Sequence, residues 1–370
     1  MSLPFAFKWG CALCVGLFIQ ATSVAASDIE YTTPLDSRVM TAHIAAILPL
    51  NSATFAAAAQ SVQNGLLSAS AIPNDSARNL PIKFYPTGDG DDIQKVYLQA
   101  SQAGAVMVIG GLNKADASLI ALSPNAVPTL VLNTVYRTST PPNSNLYSFS
   151  LSAEDEATQL ANLAYNSGCR KAVSVSADTP LAQRVQTSFL NAWQLLGGTM
   201  LWARTVKQDK TELNDLRKSL IRPNNSKIDY PECILLAADA QAGRSLRPFM
   251  GKQLPIYATA MIDDGKRDGL SLGDLQGITY VDMPWLITPD DPAWTAYPRP
   301  QQSRTDLQRL YAFGVDAYRL SMEIAHQNLT LNTPMQGLTG TLSLLDNNTI
   351  LRELPSQQMP KAEGLLGPAQ

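Results

Sequence analysis

Short apolar runs separated by longer helical patterns recur along this chain, and no other feature restricts its fold as much. Between Ala42 and Tyr147 the runs Ile44–Leu48, Ile82–Tyr85, Val106–Ile109 and Thr129–Leu132 alternate with helical patterns over Phe55 to Ala71, Ile93 to Ala103 and Ala115 to Leu122. This alternation predicts parallel strands joined by right-handed crossover helices. The pattern restarts after Ser150. Strands are expected at Ala172–Ser176, Met200–Val206, Ile234–Ala237 and Ile256–Tyr257, and helices over about Leu181 to Leu196, Thr211 to Leu220 and Gln241 to Met250.

Two doubly wound, Rossmann-like α/β lobes facing each other across a cleft are therefore expected. The chain of 370 residues is long enough for two, since a single core stops growing at about 250–300 residues. The expected division is lobe 1 over 40–149 with a return segment at about 286–333, and lobe 2 over 150–285 with a C-terminal hairpin at about 337–355. Residues 356–370 are expected to form a poorly ordered tail. A long helix from about Ser303 to Gln327 carries Leu307, Leu310, Gly314, Ala317, Ser321 and Ile324 at helical spacing, a packing stripe with small residues where elements meet closely.

Residues 1–26 have the order of a secretory signal peptide: Lys8, an apolar stretch from Trp9 to Ala21, then Val24-Ala25-Ala26. The apolar stretch falls short of the roughly 20 residues that span a bilayer, so no stable membrane insertion is expected after cleavage; retention as an anchor is the alternative. Neither Cys11 nor Cys14 follows a convincing lipidation tripeptide. The expected location is the periplasm. A net charge of -3, without a Lys/Arg run, argues against nucleic acid or an anionic membrane surface as partner.

Cys169 and Cys233 each stand at the start of an expected strand. If the first strand of lobe 2 is central, these two strands are parallel neighbours and both cysteines lie at one sheet end. A disulfide between them is expected, which the periplasm permits. Two buried free thiols are the alternative.

Catalytic chemistry is poorly provided for. With two histidines, His43 and His326, the chain has no material for a His-rich metal site, and neither a metal nor a cofactor is expected. Asp89-Gly90-Asp91-Asp92 lacks the ligand series of an EF-hand and suits a helix-capping turn. Glu154, Asp155 and Glu156 follow Ser152 as helix-initiating acids. Gly110-Gly111 matches no phosphate loop, but it marks the carboxyl edge of a parallel sheet, where doubly wound folds bind ligands. The same edges carry Asn51, Ser52, Asn113, Lys114, Asn133 and Thr134 on lobe 1, and Thr179 and Asp239 on lobe 2, which makes them the candidate cleft residues. The consecutive hydroxyls with which amino-acid receptors of this kind cradle a carboxylate are largely missing from lobe 1.

Several strings, in order, resemble the penicillin-binding protein activator family, LpoA or LppC. They are Leu48-Pro49-Leu50, Leu151-Ser152-Ala153-Glu154-Asp155-Glu156-Ala157 (with Ala153 where that family usually has proline), Ala192 to Gly198, Asp282-Met283-Pro284-Trp285, Arg309 to Leu320, and Gly337 to Ser343. The resemblance runs from Ile44 to about Glu353. It implies a periplasmic solute-binding-type fold and a non-enzymatic protein, without catalytic residues, that docks on a class A penicillin-binding protein and raises its activity. Trp294 and Tyr297, in a proline-rich loop, are the candidate docking residues. The family's longer members carry a lipid anchor and a helical-repeat region ahead of this module, features this sequence is not expected to share. The rival expectation is a solute-binding receptor of an ABC-type transporter or sensor, closing on a small ligand.

Overall fold

A computed structural model describes residues 41–72, 80–135, 145–222, 229–268, 271, 273–301, 304–326 and 333–360. The expected signal peptide lies outside them. Strand β1 (His43–Leu48) is buried at every position, as a parallel strand covered by helices on both faces must be. Helix α1 (Ala56–Ser70), β2 (Ile82–Pro86), α2 (Ile93–Gln102), β3 (Ala105–Gly110), α3 (Lys114–Leu122), β4 (Thr129–Val131) and β5 (Leu146–Phe149) follow in alternation. Asp92 starts α2 by accepting from the backbone N–H groups of Gln94 and Lys95, each at 3.1 Å, the capping role expected of the aspartate cluster.

The second series is α4 (Ala153–Asn166), β6 (Lys171–Ala177), α5 (Pro180–Leu195), β7 (Thr199–Val206), α6 (Lys210–Ser219), β8 (Cys233–Ala237), α7 (Ala240–Leu246), β9 (Ile256–Ala258) and β10 (Ile278–Val281). The chain then returns to lobe 1 through α8 (Pro284–Ile287) and the long α9 (Thr305–Ala325), and ends in β11 (Met335–Gly337), β12 (Gly340–Leu344), β13 (Thr349–Glu353) and β14 (Ser356–Gln358). One sheet has the order β11-β12-β13-β5-β4-β3-β1-β2 and the other β14-β10-β9-β8-β6-β7. The two-lobed, periplasmic-binding-protein-like α/β architecture is as the alternation predicts.

Two assignments need correction. The hairpin β12–β13 was expected with lobe 2, yet it extends the sheet of lobe 1, because β13 pairs in parallel with β5 through Thr349↔Ser148 and Ile350↔Phe149. Buried Leu342 and Ile350 join the core around β1 and α9, which is what selects that sheet. The start of the expected tail is also ordered: β14 pairs antiparallel with β10, satisfying backbone groups that would otherwise form an open edge, and Met359 is buried beside it.

α9 is buried nearly all round. It crosses α1 closely enough that a Cβ on Gly65 would fall 2.1 Å from the Tyr311 carbonyl oxygen, and one on Gly314 would fall 2.2 Å from that of Val62. In lobe 2, β6 and β8 are parallel neighbours with Ala172 opposite Cys233. The expected Cys169–Cys233 disulfide is present, with Cα atoms 6.1 Å apart.

Candidate functional site

A cleft of about 700 Å³ opens between the lobes, lined by residues following β3, β4 and β5, by the first turns of α4 and α5, and by the first half of α9. Ser152 shapes one lip: its hydroxyl accepts from the Asp155 N–H at 3.0 Å and starts α4. Glu154 on that turn pairs with Arg184 of α5 at 2.8 Å. On lobe 1 the Thr134 and Ser150 hydroxyls lie 3.1 Å apart, and Asn133 donates to the Leu112 carbonyl at 3.0 Å. Hydroxyls thus do gather in the cleft, drawn from the crossing segment as well as from lobe 1.

Of the candidates named from the sequence, Lys114, Asn133 and Thr134 line this cleft. Asn51, Ser52, Asn113, Thr179 and Asp239 do not. Asn113 accepts from the Asp116 N–H at 2.9 Å, Thr179 from that of Ala182 at 3.2 Å, and Asp239 from that of Ala242 at 2.8 Å. The Ser52 hydroxyl accepts from Thr54 and Phe55 N–H at 3.2 and 3.1 Å, and Asn51 sits exposed, its N–H donating to the Thr87 carbonyl. These short polar side chains stand where strands give way to helices, and most are consumed in satisfying the orphan N–H groups there. The proposed docking pair also needs correction. Trp294 is 9% exposed, packed into the core of lobe 1, and Tyr297 is half-buried against the same core, because the proline-rich loop folds back on the lobe.

The sequence did not point to a buried ionic frame beneath the cleft. Arg309 of α9 grips Asp282, its Nε donating to Oδ1 at 3.1 Å and Nη2 to Oδ2 at 2.5 Å; Nη2 also donates to the Ala260 and Asp263 carbonyls of lobe 2, each at 3.0 Å. Glu156 of α4 accepts from the Ala260 N–H at 3.0 Å and meets Arg352 of β13 at 3.4 Å. Arg352 donates in addition to the Ser150 and Thr339 carbonyls, at 3.0 and 3.2 Å. Burial pushes the Glu156 carboxyl above its ordinary range, opposed by the Arg352 charge. On the same α9, Asp316 accepts from the Leu338 and Thr339 N–H groups at 3.1 and 2.7 Å and from the Thr339 hydroxyl at 2.7 Å, which fixes the turn before β12. Glu156, Asp282, Arg309, Asp316 and Thr339 all fall within the quoted strings. Their spacing in the chain gives no hint that they converge.

His43 is held between the Thr41 carbonyl and the Tyr85 hydroxyl, and His326 bonds the Met322 carbonyl. Among the described residues no three His, Cys, Asp or Glu side chains cluster as a metal site, and no helix is long and apolar enough to cross a membrane.

The family model "LppC putative lipoprotein" matches residues 27–360. A penicillin-binding protein activator LpoA from Edwardsiella ictaluri (strain 93-146) is 28% identical over 362 residues, covering 82% of this chain and 52% of that protein. The chain spans about half the length of the curated relatives it matches. The solved LpoA (YraM) C-domain from Haemophilus influenzae, a regulator of PBP1A, superposes with a TM-score of 0.70 at 25% identity, over 86% of this chain and 97% of that domain. A structure from Chromobacterium violaceum ATCC 12472, described as a "putative branched-chain amino acid ABC transporter", gives a TM-score of 0.70 at 29% identity over 86% of this chain and 100% of its own length.

Proposed function

The chain belongs to the LppC family, and from that membership we propose that it is a periplasmic, non-enzymatic protein that docks on a class A penicillin-binding protein and raises its peptidoglycan synthase activity. One observation carries this reading: the similarity extends over 97% of a domain that is itself a regulator of PBP1A. The disulfide suits an oxidising compartment. Titrating the purified protein into a class A synthase polymerising lipid-linked precursor tests this reading. A saturable rise in glycan synthesis is expected; an unchanged rate at saturating protein, with no cross-link to the synthase in periplasm, removes it.

A second reading rests on the cleft itself. Its volume lies in the range of small-ligand sites, and the Chromobacterium match covers that whole structure. A solute receptor gains about 2.7 kcal/mol of stability at a ligand concentration a hundredfold above Kd. A solute screen that includes branched-chain amino acids and leaves the melting temperature unmoved ends this alternative.

A further inference from the structure

We propose that the interlobe cleft is the docking groove itself, and that it takes an extended segment of the partner synthase in which a lysine or arginine is flanked by apolar residues. This deepens the activator reading and rests on it. Three features of the cleft converge on such an occupant.

The first is its fixed width. Arg309 reaches from α9 to two carbonyls of lobe 2, and Arg352 of β13, anchored on lobe 1 and the crossing segment by the Thr339 and Ser150 carbonyls, meets Glu156 of α4 at 3.4 Å. Opening or closing the lobes breaks charge-assisted bonds at buried positions and leaves charges unpaired, a costly change. A small solute gains most when lobes shut around it and expel water. A cleft held at one width suits a chain segment, which supplies enough side-chain volume to fill it.

The second is an apolar floor. Leu310 of α9 and Met261, both partly exposed, lie in the cleft over the buried Phe313, and Leu181 on the first turn of α5 is 37% exposed at its edge. The third is charge. Around the cleft Glu154 is paired with Arg184, Glu156 with Arg352 and Arg309 with Asp282. Asp155, on the lip of lobe 2, forms no ion pair within bonding distance among the described residues; burial pushes its carboxyl above the ordinary range, opposed by the Ser152 hydroxyl of its own turn and by the more distant Arg352 charge. A cation from outside complements it.

The test uses the full chain and the intact synthase. With p-benzoylphenylalanine at position 181, illumination is expected to cross-link the synthase. Asp155→Lys and Leu181→Arg are each expected to weaken binding about tenfold or more, with melting temperatures near that of the parent, whereas Asp215→Lys on the far helix α6 leaves binding unchanged. If the parent protein stimulates the synthase while both cleft variants bind as it does and no cross-link forms, the groove is wrong and the activator reading stands. If the parent neither binds nor stimulates, both fall. Should Asp155→Lys fail to fold, Leu181→Arg and the cross-link still decide the matter.

Discussion

Arg309 shows how much one side chain carries in this molecule. It neutralises Asp282, which is 1% exposed, and occupies two carbonyls from the opposite lobe. Arg309→Ala leaves a buried carboxylate without its partner, and a loss of about 3–5 kcal/mol in urea unfolding is expected. Arg309→Lys is expected to recover only part of it, because one ammonium does not reproduce a planar fork of donors. A second residue-level prediction concerns acid. Arg244 donates to both oxygens of Asp264, at 2.9 and 2.8 Å, and holds its carboxyl down from 3.8 to about 2. A depressed carboxylate contributes stability above the unfolded pKa and loses it as pH falls through the folded one. The Arg244→Ala variant should therefore be weaker than the parent by about 1 kcal/mol at pH 6, allowing for solvent screening, with the gap closing by pH 2; a gap that is constant with pH removes the linkage. At this scale the sequence was least legible. Asn113, Thr179 and Asp239 announce themselves as polar residues at sheet edges, but whether such a side chain caps a helix or faces a ligand depends on its rotamer, which composition does not specify. Arg309 and Asp282 meet only because α9 returns across the first lobe.

At the scale of elements the sequence was far more informative. Periodicity places β1–β4, β6–β9 and the long helix within a few residues, because burying one face of each crossover helix leaves little freedom, whereas the short β5, β11 and β14 carry too few residues to show a period. What it could not choose was the partner of the final hairpin. Strand pairing depends on which edge is open, and β5 offers one that only the assembled lobe reveals. The stripe on α9 was visible through Gly314, though not the closeness of its approach to α1. With under 2.5 Å available to an added methyl group on either glycine, Gly314→Ala must push the two helices apart. A loss of about 1–3 kcal/mol is expected, read from denaturant unfolding. Gly197→Ala is a poor control, since its φ of +78° already favours glycine. A substitution on the exposed face of α6, such as Lys218→Ala, serves better and should change stability by less than about 0.5 kcal/mol.

For the whole molecule, the Cys169–Cys233 link closes a loop of 64 residues within one lobe. Chain entropy assigns such a closure about 4 kcal/mol, so reductant should lower the unfolding midpoint markedly, and the double Cys→Ala variant should match the reduced parent. Reduction without any shift, or two reactive thiols in unreduced denatured protein, contradicts the link. The second consequence comes from β13 and β14, close together in the chain, of which the first joins the β11–β12 pair to β5 and the second closes the edge of the other sheet. A chain made from its amino end exposes two unfinished sheets until that stretch arrives. Both sheets are completed late, so open strand edges at β5 and β10 are expected to persist until then, where they can be bound or mispaired.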